Sequence, residues 1–225
     1  MIRRLLKEFA PLAWPFFFAI IIVQLSVILT DETLYVFWFV LGGQIILCYL
    51  MGTASFGSEF ENNTLERLLS QPVPRIALWR EKMGVLAGSV GVIFLLSMAV
   101  FYLYANPAIL DFFHRARFNG LAVLLNFFIP AACAYLSSLC AGTLMALYLK
   151  KTHTAFWASL TSTALILVIW QFLLSICLSI LGMKMLLYGE KAQEYGIAIQ
   201  AGLPLFLWCI VSYSLARRKF MRMEV

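Results

Sequence analysis

Residues 59–75 read EFENNTLERLLSQPVPR, a long polar passage between two hydrophobic segments of the chain. Within it, Leu65, Leu68 and Leu69 are spaced i, i+3 and i+4, and this spacing predicts that they share one face of a short helix. Positions 63, 64, 66 and 67, beside these leucines, carry polar or charged residues. The stretch therefore predicts a short amphipathic helix, a kind of element suited to docking into a groove on another protein.

Both ends of this short helix carry sequence signals. Asn63 is in position to cap its start, with Glu66 three residues later in the capping-box position. Pro72 and Pro74 end it, because proline lacks a backbone N–H and restricts the conformation of the residue before it. We therefore expect one capped helix bounded by residues 63 and 72.

The composition indicates an integral membrane protein. Of the 225 residues, 63% are hydrophobic and 12% are charged, whereas a soluble domain is about half apolar and about a quarter charged. Six charge-free runs are each long enough to cross a hydrocarbon core of about 30 Å. They are residues 12–30, 34–56, 83–105, 119–149, 155–183 and 196–216. The fold prediction is a single all-α domain over residues 1–225 with six transmembrane helices.

Some residues within and beside the spans predict further detail. Residues 1–10 are basic and amphipathic, so we expect them to lie in the membrane interface before the first span. Gly84 and Gly88 form a small-xxx-small step at the start of the third span, which permits close contact between helices. Pro130 and Pro204 are the expected bends in the fourth and sixth spans.

The distribution of basic residues predicts the orientation. With a cytoplasmic amino terminus, thirteen of the 17 Lys and Arg residues fall on the cytoplasmic side. The other side holds Arg115, Arg117, Lys184 and Lys191. Since cytoplasmic loops carry the excess of Lys and Arg, we expect both termini in the cytoplasm. The net charge of +6 then reflects topology and contact with anionic lipid, and nucleic acid is not an expected partner.

The residue types inside the spans exclude several functions. None of the six runs contains an Asp, Glu, Lys, Arg or His, which argues against proton or sodium coupling and against intramembrane acid–base catalysis. The five cysteines form no CxxC pair, His114 and His153 lie in predicted loops, and no phosphate-binding GxxxxGK[ST] loop is present. We therefore predict no catalytic residue, no bound cofactor and no metal site in this chain.

A family resemblance adds to these inferences. From Thr64 to Arg75 the chain reads TLERLLSQPVPR, which resembles the T-L-E-x-L-L-x-x-P-[VL]-x-R passage of type-2 ATP-binding-cassette (ABC) exporter permeases. That family commonly has glycine where this chain has Asn63, and its passage is the coupling helix that seats in the ATPase subunit. The resemblance implies an amino-terminal elbow helix at residues 1–10 and a cytoplasmic coupling region at residues 57–82, between the second and third spans.

The resemblance also implies partners and binding residues. The leucine face would sit in a groove of a separate ATPase subunit, which would bind ATP and Mg²⁺, while the charged residues would set orientation at its rim. The expected ATPase-binding residues are Glu61, Asn63, Leu65, Glu66, Arg67, Leu68, Leu69 and Arg75. A second copy of the permease, or a similar subunit, would complete the transporter in the bacterial cytoplasmic membrane.

Two alternatives remain open at this stage. The uncharged, aromatic-rich spans favour a lipophilic or amphipathic substrate for an exporter, but the same docking helix would also serve a membrane scaffold or assembly factor without transport activity. The chain length further fits the membrane subunit of the cytochrome c-maturation haem exporter, although neither histidine lies in a span where it could ligate haem.

Overall fold

A computed structural model of the chain describes residues 13–22, 33–70, 73–104, 128–180 and 198–223, and every regular element in these ranges is helical. The helices are α1 (Ala13–Ile22), α2 (Thr33–Glu61), α3 (Thr64–Leu69), α4 (Arg75–Tyr104), α5 (Ile129–Leu149), α6 (Thr152–Ile180) and α7 (Leu203–Met221), with a π-helical turn at Ala198–Gly202 before α7. The all-α prediction is therefore confirmed for this part of the chain.

Three of the described helical segments are long and apolar enough to cross a membrane, namely Arg75–Ala99, Ile129–Leu149 and Thr152–Ile176. This finding indicates a membrane protein. The predicted elbow at residues 1–10 and the segments at 23–32, 105–127 and 181–197 lie outside the described residues, so the count of six spans stays a prediction.

Helix α4 begins earlier than the predicted third span. It starts at Arg75, directly after Pro74, whose carbonyl oxygen accepts bonds from the N–H groups of Ala77 (2.8 Å) and Leu78 (3.3 Å). The sequence predicted that this span begins at Met83, because the charge-free run begins there. The helix itself also includes the charged residues before Met83, since a helix can extend beyond the membrane into polar surroundings. Residues 75–82, predicted as part of the coupling region, therefore belong to a long helix.

Helix α5 is the centre of the bundle and packs most extensively against α2 and α7. Its contact with α2 is a close backbone crossing at Gly52 and Gly142. A Cβ atom on Gly52 would lie 2.5 Å from the carbonyl oxygen of Leu139, and one on Gly142 would lie 2.8 Å from that of Tyr49. Small residues permit this approach, as is typical of helices packed within membranes.

The predicted close contact at Gly84 and Gly88 is wrong among the described helices, because a Cβ atom on either would meet no heavy atom within 4 Å. The predicted bends fall near helix starts. Pro130 lies in the first turn of α5, and Pro204 lies in the first turn of α7, directly after the π-helical turn. A π-helical turn is a recognised cause of a helix bend.

Candidate partner interface

Helix α3 connects the ends of two long helices through a left-handed residue. Asn63 has φ = 54°, and its backbone N–H donates to the carbonyl oxygen of Phe60 at 3.2 Å, while that of Asn62 donates to Ser58 at 3.0 Å. Asn63 thus terminates α2 in the manner of a left-handed C-terminal cap, a position where glycine is preferred and asparagine is tolerated. The sequence predicted Asn63 as the N-cap of α3, which stays a prediction; the structure shows the residue in a left-handed conformation at the end of α2.

Two leucines of α3 pack inward. Leu65 and Leu69 are only 3% and 9% exposed, and both belong to the same hydrophobic core as Phe56 and Phe220. In this structure the chain itself covers both leucines, and their assignment to an ATPase contact stays a prediction. The physical reason is that a helix of six residues, held close to the bundle at both ends, lies near enough for these two leucines to contact the core of their own chain.

Two of the predicted rim residues also make contacts within the chain. Glu61 accepts a hydrogen bond from the backbone N–H of Thr152 at 2.8 Å, where a carboxylate is favourable because Thr152 begins α6. The Arg75 guanidinium donates to the carbonyl oxygens of Met221 (3.0 Å) and Met223 at the end of α7. Both side chains thus join neighbouring helix ends to the α3 region. The side chains of Glu66, Arg67 and Leu68 lie outside the described part of the structure.

A buried ion pair that the sequence did not reveal lies beside α3. Lys82, only 3% exposed, pairs with Glu59 and donates to the carbonyl oxygen of Ser55 at 3.3 Å. Its ammonium group also lies 4.7 Å from the centroid of the Phe56 ring, within cation–π range. Lys82 is the last residue of the predicted coupling region, and its spacing from Glu59 does not predict their pairing, since the two residues belong to different helices.

An aromatic cluster beside this ion pair joins the same two helices to α7. The fully buried Trp79 of α4 lies 5.7 Å from Phe56 of α2 and 5.4 Å from Phe220 of α7, measured between ring centroids. Its indole N–H donates to the hydroxyl of Tyr213 at 3.2 Å. Aromatic pairs at these separations contribute stability beyond their buried area. This cluster therefore connects the two helices that flank α3 to each other and to α7.

The described charges of α2, α4 and α7 and of the α5–α6 turn gather at one end of the bundle. The contacts that bring them together are Glu59–Lys82, Glu61–Thr152, Arg75–Met221 and the approach of Lys150 to the Phe60 ring. Helix α3 lies at this charged end. The predicted outer-side residues Arg115, Arg117, Lys184 and Lys191 lie outside the described ranges.

Polar side chains in the bundle interior form a hydrogen-bonded cluster that is separate from the charged end. The hydroxyl of Ser97 in α4 donates to Oε1 of Gln44 in α2 at 2.8 Å, and the hydroxyl of Tyr135 in α5 donates to the same oxygen. Gln44 and Tyr135 are fully buried. Within the described ranges, no group of three or more His, Cys, Asp or Glu side chains is placed to hold a metal ion.

Comparison with known proteins gives no match: no protein-family model fits the chain, and neither a curated protein nor a solved structure is significantly similar to it.

Proposed function

We propose that the chain is the permease subunit of an ATP-driven ABC exporter and that α3 is the helix on which a separate ATPase subunit acts. The observation that carries this proposal is the attachment of α3 to the bundle. Its Leu65 and Leu69 are buried, and the helices on either side of it, α2 and α4, are joined by the Glu59–Lys82 pair and by Phe56 against Trp79. Because α3 is packed against the bundle, we expect it to move together with α2 and α4 and so to transmit force to them.

The proposed contact surface differs from the one expected from sequence alone. Leu65 and Leu69 are occupied by the chain's own core, so the partner contacts the other side of α3. With 100° between successive helical positions, position 67 lies opposite the face of Leu65 and Leu69, and positions 66 and 68 lie about 80° to either side of its middle. Of these three positions, 66 and 67 carry charged residues suited to a polar contact. Glu66 and Arg67 are therefore the residues that we assign to direct ATPase contact, and Leu65, Leu69, Glu61 and Arg75 become residues that position α3.

In this mechanism the ATPase subunits bind ATP and Mg²⁺ and perform the hydrolysis. Their closure pushes on α3, and the Glu59–Lys82 pair and the Trp79 cluster pass the displacement to α2, α4 and α7. The arrangement has six spans with the charged end and both termini in the cytoplasm, in a bacterial cytoplasmic membrane. Two permease subunits surround the path of a lipophilic or amphipathic substrate.

Charge reversal at position 67 tests the proposal. Arg67→Glu is expected to lower the amount of ATPase that co-purifies with the tagged chain by about ten-fold or more, because a misplaced charge in an interface costs several kcal/mol. The matched control is Lys151→Glu, an exposed basic residue at the same end of the bundle, which is expected to retain the ATPase. Thermal unfolding of both variants in detergent should match that of the unsubstituted chain, since neither residue is assigned to the core.

Two results would contradict the proposal. Equal co-purification of ATPase with both variants and the native chain would remove α3 from the interface. A stable native complex whose ATP hydrolysis is the same with and without this chain would instead support the scaffold or assembly factor.

A further inference from the structure

A cavity of about 310 Å³ opens between α3 and the ends of α2, α5 and α7. Leu65 and Leu69 form one wall, and three basic side chains from two different helix ends line it: Lys150, Lys219 and Arg222. Its volume is at the lower end of the range for small-molecule sites. The space suits a compact group such as a phosphate ester with its glycerol and not a whole lipid.

The charge balance of the cavity is positive. The one carboxylate among its lining residues belongs to Glu59, which is paired with Lys82. Lys150 and Lys219 lie over aromatic rings, at 5.8 Å from the centroid of Phe60 and 5.2 Å from that of Tyr148. An ammonium group on a ring face keeps N–H donors available, so both lysines can still donate to an anion in the cavity that Arg222 also lines.

The surroundings of these cations are apolar. Tyr148 and Leu149, next to Lys150 in sequence, are 54% and 43% exposed, and Leu215 on α7 is 38% exposed. A ligand that satisfies this region carries a negative charge and an apolar part side by side. A free anion matches the cations alone, and an acidic peptide leaves the apolar residues uncovered.

We propose that this cavity binds the phosphate group of an anionic phospholipid, with the acyl chains along the exposed apolar surface of α5 and α7. Basic pockets between membrane helices are suited to such head groups, and each nearby Lys or Arg contributes about a five-fold gain in affinity. The proposal requires that the charged end of the bundle faces a lipid surface, and it does not require that the chain is an exporter. The bound phosphate would hold the ends of α5 and α7 together, since Lys150 lies at the first and Lys219 and Arg222 at the second.

The test compares binding of phosphatidylglycerol, phosphatidylcholine with the same acyl chains, and inorganic phosphate to the full-length chain in detergent. Native mass spectrometry counts bound lipid as its concentration is raised. The variant is Lys219→Gln with Arg222→Gln, and the matched control is Arg217→Gln with Arg218→Gln, two exposed basic residues of the same helix that do not line the cavity. The double cavity variant should bind phosphatidylglycerol about 30-fold more weakly, and the control should stay within about two-fold of the native chain.

A second pair keeps the test informative if the double variant fails to fold. Lys150→Gln should weaken phosphatidylglycerol binding about five-fold, whereas Lys151→Gln, its neighbour outside the cavity, should not. Lys219→Arg retains the charge and should retain the binding.

Three outcomes would overturn the assignment. If phosphatidylglycerol binding weakens equally in the cavity variant and its control, the cause is general electrostatic attraction and not binding in the cavity. Displacement of phosphatidylglycerol by an equal concentration of inorganic phosphate would make the ligand a free anion. Loss of a co-purifying protein from the cavity variant, with lipid binding unchanged, would make the cavity a protein contact.

Discussion

Helices α5 and α6 look alike by hydropathy and behave differently in the structure. Their most apolar windows have mean hydropathies of 1.5 and 1.8, yet 61% of the α5 window is buried inside the chain and only 11% of the α6 window. Hydropathy alone would rank α6 as the more deeply buried of the two. The difference shows that, in this protein, apolar character does not say which helix is central.

The residues that do mark the central helix are small. Buried positions of α5 include Ser138, Gly142 and Thr143, and the two hydroxyls donate to carbonyl oxygens of their own helix, at Ala134 (2.7 Å) and Leu139 (2.9 Å). The exposed positions of α6 carry large apolar side chains: Leu165, Val168, Ile169, Phe172 and Leu173. Where lipid is as apolar as leucine, close packing of small residues decides association, and large side chains face outward.

The largest expected effect tests this conclusion at the α2–α5 crossing. Gly142→Ala should destabilise the chain by about 3 kcal/mol, the upper part of the range for overpacking, because the added methyl group would meet the carbonyl oxygen of Tyr49 at 2.8 Å and the backbone nitrogen of Thr53 at 3.2 Å. Backbone atoms on a rigid helix cannot turn aside as a side chain does. Denaturant unfolding in detergent micelles measures the change.

Gly88→Ala on α4 is the control for that substitution, since its methyl group meets no heavy atom within 4 Å among the described residues. It should be neutral or stabilise the helix by up to about 1 kcal/mol, as removal of an interior glycine does. Equal destabilisation by both alanine substitutions would mean that the crossing is not close packed.

The sequence predicted the helical class and the polar break between α2 and α4, because both depend on local composition. It did not predict which way α3 faces. The spacing of Leu65, Leu68 and Leu69 defines a face, but whether a partner or the chain itself covers that face depends on the distance to Phe56 and Phe220, which spacing does not contain. For the same reason, the sequence did not predict that Lys82 pairs with Glu59, which lies on another helix.

A leucine pair gives the next largest effect and compares α5 and α6 with matched chemistry. Leu139 on α5 is 1% exposed, and Leu165 on α6 is 60% exposed. Leu139→Ala should cost about 2 kcal/mol, the lower end of the range for core truncations, because in micelles the unfolded chain also keeps its leucines out of water and only the packing is lost. Thermal unfolding of the purified chain measures it.

Leu165→Ala is expected to change stability by less than about 0.5 kcal/mol, the usual limit for surface positions. A loss at Leu165 as large as that at Leu139 would show that the outer face of α6 is covered in the purified protein. Analytical ultracentrifugation of the same sample would then show whether the protein is a dimer in which a second copy covers this face.

The smallest expected effect concerns the buried hydrogen bonds of α5. Tyr135→Phe removes the donor to Oε1 of Gln44 without changing the ring that packs edge-on against Phe94, at 5.5 Å between centroids. Hydrogen bonds between membrane helices contribute about 0.6 kcal/mol on average, because the unfolded chain in a micelle also finds partners. We expect the free energy of unfolding to fall by about that amount or less, because Ser97 still donates to the same oxygen.

The matched substitution on α6 is Thr161→Val, which removes a hydroxyl that donates to the carbonyl oxygen of Trp157 within its own helix at 2.9 Å. Thr161 is exposed, and its bond joins no second helix, so its loss should change stability by less than the Tyr135 substitution does. A double-mutant cycle of Tyr135→Phe with Ser97→Ala should show coupling, because both hydroxyls share one acceptor. Additive effects in that cycle would mean that the three side chains act separately and that small residues alone account for the central position of α5.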